Sequence, residues 1–387
     1  MAENNITALV PDIYEALDVV SRELTGLIPA VTMNASASAA GINQNIRIDV
    51  EPAGNVADIS PAMSIPDPTG QTSGSTDIVI TKSRAANFGF IGDDQLKLNS
   101  GAGYMGVRAQ KIAQAIRSIV NEVESDLAGL QATFSRAAGT AGTTPFATAN
   151  DYMGASLARK ILKDNGGDID PQLVIDTTAG ANMIGKQSAV NAAGTDSLLR
   201  QGVLLDIAGM PLRESAQINT STAGTMSGGK TNNAGYAVGV TSFGLQNATG
   251  TGVLIAGDVI TIAGDTNQYV VTSATFAGAN PATGDVVVIA GNGLRKAIAG
   301  SNTAITVVAA SARNMCFSRS ALVLAARTPA RPSEGDMASD VMVITDPRSG
   351  LSMEFAMYKG YRKVRYEVGL AWGVKNIKPE HTALLLG

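Results

Sequence analysis

Histidine occurs once in this sequence, as His381, and cysteine once, as Cys316. One imidazole rules out multi-histidine metal centres. Any Ser-His-Asp or Cys-His relay would have to run through a residue flanked by Pro379 and Glu380, a setting typical of an exposed loop. One thiol rules out an internal disulfide and a cysteine-rich zinc site, and its surroundings, NMCFS, suit a small buried residue in a strand and a reducing compartment. Aromatics make up only 4% and charged residues 16%, so Ala, Gly, Ser and Thr dominate, which favours close backbone packing and extended sheet over a deep aromatic pocket. Basic residues number 29 against 33 acidic, a net charge of −4, and no global positive field exists to gather nucleic acid. Nowhere do about 18 consecutive apolar residues occur to span a bilayer. The opening MAENNITALV lacks the basic and long apolar regions of a signal peptide, so neither secretion nor membrane insertion is expected.

What is present includes one misleading motif. Residues 224–231, GTMSGGKT, fit the phosphate-binding pattern G-x-x-x-x-G-K-[ST] letter for letter. That chemistry needs a buried strand before the loop and a helix after it, so that backbone N–H groups and a helix N-terminus converge on phosphate. Upstream stands polar AQINTSTA and downstream NNAGYAVGV, which reads as turn then strand, so the segment is expected to be a flexible connector. KDNGGDID, at 163–170, lacks the Gly and terminal Glu placement of a calcium loop and reads as a helix end followed by a turn.

At 387 residues the chain is long for one core, and two or three domains are the prior. Residues 11–25 place Ile13, Leu17, Val20 and Leu24 on one helical face, with Gly26 as the stop. The opposite face is acidic, and Asp12, Glu15, Asp18 and Glu23 form a candidate docking strip for a basic partner. Period two then takes over in NIRIDV and DIVIT, joined by a long tip containing Pro52, Pro61, Pro66 and Pro68. An isolated hairpin is marginal in water, so this arm is expected to lie on a neighbouring copy. From 107 to 134, Ile112, Ile116, Ile119, Val123, Leu127, Leu130 and Phe134 recur at spacings of three and four, predicting a rod on the order of 40 Å. Residues 151–209 alternate helix and strand, 224–311 hold only strands separated by Gly, Asp and Asn turns, and the latter are expected to form a β-barrel-like inserted domain. A basic loop with Arg327 and Arg331, a turn at DPRSG and a strictly alternating strand from Val364 to Val374 follow.

In this order the elements resemble the tailed-bacteriophage major capsid proteins of the Hong Kong 97 type. GLAWGVKNIKPEHTALLL, QGVLLDIAGMPLRES and GDVITIAGDTNQYVVTSATF are most similar to stretches of the short-tailed Salmonella-type coat proteins. The resemblance implies an α+β fold with an N-terminal arm at 1–37, an E-loop hairpin and flanking strands at 38–92, and a P-domain spine helix at 93–140. An α/β A-domain at 141–223 follows, then an inserted all-β domain at 224–311, an A-domain return at 312–337, P-domain strands at 338–374 and a final A-domain segment at 375–387. It implies a non-enzymatic subunit without cofactor or metal, assembling in the bacterial host cytoplasm into pentamers and hexamers of an icosahedral virion shell. The implied partners are a scaffolding protein, a portal protein and packaged double-stranded DNA held non-specifically, with no membrane. Some members of the fold cross-link through an E-loop lysine; here no lysine occurs from Gln44 to Thr81, so a non-covalent shell is expected. The rival readings are another virion component, such as a tail or decoration protein, and a P-loop NTPase.

Overall fold

The computed structural model describes Ala16, residues 23–50, Ile59, Pro61, and residues 74–99, 103–148, 151–186, 206–232, 234–246, 252–275, 285–300 and 302–387. Strands predominate and four helices accompany them among these residues, a mixed α+β architecture.

The alternating C-terminal segment forms a 14-residue strand, Lys363–Asn376, and serves as the hub of a six-stranded sheet. One of its edges pairs with Lys82–Ile91 over most of its length. The other takes Ser352–Gly360 along its first half and Leu322–Pro329 along its second. Ala338–Thr345 and, in parallel, Thr32–Ala40 complete the sheet. Alternation puts Tyr366, Val368, Leu370 and Trp372 on one face, where all four are buried in a shared core with the long helix. Between Ala338–Thr345 and Ser352–Gly360 the predicted turn is present: Gly350 takes φ 73° and donates to the Asp346 carbonyl at 2.8 Å.

The long helix runs Tyr104–Gly129, 26 residues, which is about 39 Å of rise. Its buried positions include Ile112, Ile116, Ile119, Val123 and Leu127 but also Ala109, Ala113 and Val120, a stripe wide enough to meet a sheet. It begins three residues earlier than the periodicity predicts. Beyond Gly129, a weak helix former, Leu130–Thr133 tighten into a 3-10 turn, and Phe134 leaves the helix to pack edge-on to Phe317.

A second sheet forms the α/β body. Leu212–Glu214, Pro171–Ile175, Arg313–Ser318, Thr382–Leu386 and Arg136–Ala138 lie side by side in that order. All but the first of these strands are buried at every position, because both faces are covered. Leu173, Ile175, Cys316, Ala383 and Leu385 meet helices Met153–Asp164 and Thr177–Lys186 on one side. Val174, Met315, Phe317, Leu384 and Leu386 meet the core of the long helix on the other.

Six strands within 230–307 form a ring in the order Lys230–Thr231, Ser242–Gln246, Asp285–Ile289, Gln268–Thr275, Val259–Ile262, Ile305–Val307. It closes where Lys230 bridges Ala304 and Thr231 N–H donates to the Thr303 carbonyl at 2.9 Å. Its interior holds Phe243, Leu245, Ile260, Ile262, Tyr269, Val271, Val287 and Ile289. The ring is nevertheless joined to the α/β body: Gln268 and Tyr269 pair with Ala137 and Arg136, which makes the body sheet and the ring one hydrogen-bonded system.

The arm leaves between the first edge strand and Lys82–Ile91. Asn45–Asp49 pairs with Ser75–Val79, Ile46 opposite Ile78. Most of its tip, and with it Pro52, Pro66 and Pro68, lies outside the described residues; Ile59 and Pro61 are exposed. The arm is expected to lie on a neighbouring copy, and that expectation bears on its tip; its root packs within its own chain. Ile78 and Ile80 are fully buried against Ala40, Val323, Ala325 and Ala371, because the hub strand offers a flat place to receive them. At Gly373 a Cβ would stand 2.0 Å from the Val79 carbonyl oxygen, so only glycine allows the approach. The N-terminal helix expected over 11–25 falls outside the described residues except for Ala16 and residues 23–25. The latter are irregular, and Gly26 is pressed against the Glu214 carbonyl, where a Cβ would lie 2.3 Å from that oxygen.

Candidate functional site

Chemistry in this chain concentrates where the arm and the N-terminal segment are tied to the long helix. Lys82, at the arm's root, places Nζ 2.9 Å from Glu122 Oε1 and 2.8 Å from Asp126 Oδ1, with the Trp372 ring centre at 5.9 Å. Trp372 Nε1 donates to the second Asp126 oxygen at 2.8 Å, and Arg84 reaches Glu122 at 3.1 Å. Hydrogen bonding to Asp126 pushes the Lys82 pKa up, so the amine stays protonated and acts as a tie rather than a nucleophile. Across the hub strand, Lys375 Nζ donates to Thr76 Oγ1 and the Asp77 carbonyl, both at 2.8 Å, which props the arm's second strand.

Of the candidate docking strip, Asp12, Glu15 and Asp18 lie outside the described residues. Glu23 is described and is already engaged. Arg117 grips it with two donors, Nε at 2.8 Å from Oε2 and Nη2 on Oε1, and Asn121 Nδ2 adds a bond of 2.6 Å. The Arg117 hydrogen bond, helped by Asn121, holds its carboxyl at about 2. Glu23 therefore serves inside its own chain, and a basic partner would find its carboxylate occupied.

The sequence reading missed Glu124. It is fully buried in the middle of the helix's apolar face, and its carboxylate accepts from Gly26 N and Leu27 N at 2.7 Å, Ile28 N at 2.9 Å and Ser215 Oγ at 2.7 Å. These donors come from the N-terminal segment and from the end of the α/β strand Leu212–Glu214, so one side chain joins three parts of the chain. The available signal was an acid immediately after Val123 inside the apolar stripe, a place where a charge survives only with a full set of partners.

The remaining sequence candidates resolve locally. Residues 224–229 are irregular, bending at Gly228 with φ 70°, and Lys230–Thr231 is a strand of the ring; a Cβ at Gly224 would lie 2.3 Å from Asp258 Oδ2 and one at Gly229 2.7 Å from the Met226 sulfur. No helix follows, so the phosphate-loop geometry is missing there. His381 sits in a 3-10 turn, half-buried, its ring against Gly167. Cys316 is fully buried 3.5 Å from Met210 Sδ, and burial pushes its thiol up to about 12, an inert sulfur. Arg327 donates to the carbonyl and side chain of Asn34, and Arg331 to Glu354 and Asp336. KDNGGDID ends helix Met153–Asp164 as predicted, with Asp168 paired to Arg159 at 2.8 Å.

Solved structures similar to this one include a protein of Mycobacterium phage Che8, at TM-score 0.46 and 13% identity over 94% of this chain and 92% of that one. The capsid of a native GTA particle is similar at TM-score 0.47 and 11% identity, over 95% and 91%. A virus-like particle from Pyrococcus furiosus is similar at TM-score 0.43 and 9% identity, over 98% of both chains. No family model matches the chain, and no curated protein matches it.

Proposed function

We propose that this chain is the major capsid protein of a tailed bacteriophage, a non-enzymatic subunit whose copies close into an icosahedral shell around double-stranded DNA. One observation carries the reading. A two-stranded arm is rooted on a sheet that lies over a 26-residue helix, and the chain passes from edge strand to arm, long helix, α/β body and back to the same sheet. That is the order the capsid resemblance implies, with the long helix as spine and the arm as E-loop. A shell subunit uses such an arm to reach its neighbours.

In the finer form of the proposal, the ring of strands within 224–311 is the inserted domain of the short-tailed Salmonella-type coat proteins. Pentamers and hexamers then form with a scaffolding protein in the bacterial cytoplasm, a portal occupies one vertex, and DNA is held without sequence preference. Paired Lys82 and the absence of lysine from 44 to 81 support a non-covalent shell. Electron microscopy of the expressed protein, alone and with its scaffold, tests the reading. Closed shells or curved sheets of capsomers are the expected result; only monodisperse monomers under both conditions, or extended tubes of tail-like symmetry, would refute it.

A further inference from the structure

Two acids meet, without a cation between them, where the N-terminal segment lies on the α/β body. Asp176 caps helix Thr177–Lys186: its Oδ2 accepts from Thr178 N at 3.0 Å and Ala179 N at 3.4 Å, while its Oδ1 is buried and accepts nothing among the described residues. Glu214 ends the neighbouring parallel strand beside Ile175, and alternation turns it, with Leu212, towards that helix. Its carboxylate lies on Gly180, four residues past Asp176, so closely that a Cβ there would overlap Oε1. Half-buried, it has no hydrogen-bond or ion-pair partner among the described residues. The N–H groups that Asp176 takes are not available to Glu214, so burial and the Asp176 charge push the Glu214 carboxyl up from an ordinary 4.5. Other charged groups on the packed elements are engaged or turned away. Glu124 accepts its four bonds and Glu23 is held by Arg117; Arg213 alternates to the opposite face of the strand, and Lys186, at the far end of the helix, lies against Phe146 and Tyr152.

The same strand end carries the N-terminal segment. Gly26 packs on the Glu214 carbonyl, Ala216 N donates to the Leu24 carbonyl at 3.1 Å, and Ser215 Oγ donates to Glu124, whose carboxylate holds the backbone of residues 26–28. We propose that Glu214 is a proton-operated latch for this segment. Uncharged, it rests on Gly180 and the strand end holds residues 24–28 in place. Ionised, it is repelled by Asp176, the strand end shifts, and the ties of the segment to it loosen. The packed joint favours the neutral form, so the latch is closed below about 4.5 and opens as pH rises through the raised value of Glu214. The Glu23 tie to Arg117 acts in the opposite sense, being lost as pH falls towards 2. The segment is therefore held most firmly in the mildly acidic range between the two titrations.

The test uses the full chain. Amide protection factors of residues 24–28 and Ala216, corrected for the intrinsic pH dependence of exchange, read the latch, and carboxyl NMR of Glu214 reads its proton. In the parent chain protection is expected to fall as pH rises from about 4.5 to neutral. Glu214→Gln keeps the shape without the charge; its protection should stay flat over that range and exceed the parent's at neutral pH by about fivefold or more. Asp176→Asn keeps a capping oxygen and removes the repelling charge, so protection should vary less with pH and the Glu214 carboxyl should titrate lower than in the parent. Parent protection that is constant over that range would overturn the latch. So would parent-like pH dependence in Glu214→Gln, or a Glu214 carboxyl that titrates no higher in the parent than an ordinary one. Should Glu214→Gln fail to fold, Asp176→Asn decides alone: a Glu214 titration and a pH profile both unmoved in it would refute the latch.

Discussion

Glu122 and Glu124 stand two residues apart on one helix, and replacing each by Gln separates a buried clamp from a surface tie. At position 124, Oε1 accepts three bonds, from Gly26 N, Leu27 N and Ser215 Oγ, and Oε2 accepts one from Ile28 N. A Gln oxygen in the Oε1 place keeps those three as neutral bonds, each weaker than its charge-assisted form by about 1 kcal/mol. The amide nitrogen then faces Ile28 N–H, leaving a buried donor unmatched at about 1–3 kcal/mol. The uncharged amide loses less hydration on burial, which offsets part of this, so the expected net loss is about 3 kcal/mol. That is a large share of a typical 5–15 kcal/mol. Glu122 is partly exposed and pairs with Lys82 and Arg84, so Glu122→Gln should stay within about 1 kcal/mol. Urea unfolding of the unassembled subunit, followed by the Trp372 signal and by helix content, measures both. Equal losses, or a Glu124→Gln loss below about 1 kcal/mol, would refute the assignment of Glu124 as the clamp of three segments.

Three further outcomes are expected. Glu23 is held at about 2 against an ordinary 4.5, so its tie to Arg117 is fully present above about 4.5 and is lost as pH falls towards 2; amide protection factors around residues 23–28, corrected for the intrinsic pH dependence of exchange, should fall across that window in the parent chain, and Arg117→Ala should show the low protection already at neutral pH. Gly373→Ala puts a methyl group 2.0 Å from the Val79 carbonyl and should destabilise by about 1–3 kcal/mol while lifting the arm root, read as loss of amide protection at Ile78 and Ile80 with the long helix still protected. Replacing residues 52–75 by a short Gly/Asn turn should give a soluble chain with near-parent helix content that forms no closed shells. Normal shells from it would show the arm tip to be dispensable, and an unfolded product would show that the tip packs within its own subunit.

Local periodicity was enough to place the long helix, the alternating hub strand, the two arm strands and the strand-rich segment from 224 on, because spacings of 3.6 and 2 are properties of the chain within a few residues. The lack of a buried strand before GTMSGGKT and of a helix after it was legible for the same reason; that its last two residues, Lys230–Thr231, join the ring as a strand rather than serving as a flexible connector was not. What tertiary structure alone decided are relations between residues far apart in sequence. The hub strand's two sets of partners, Gln268 and Tyr269 pairing with Ala137 and Arg136, and the burial of Ile78 and Ile80 on the chain's own sheet depend on which edges and faces remain free once every other element has packed. Glu23 and Glu124 make the same point in side chains. In the sequence they are two acids on amphipathic stretches; in the fold both bind within the chain, because the N-terminal segment crosses the long helix there and brings Arg117 to one and a row of unpaired backbone N–H groups to the other.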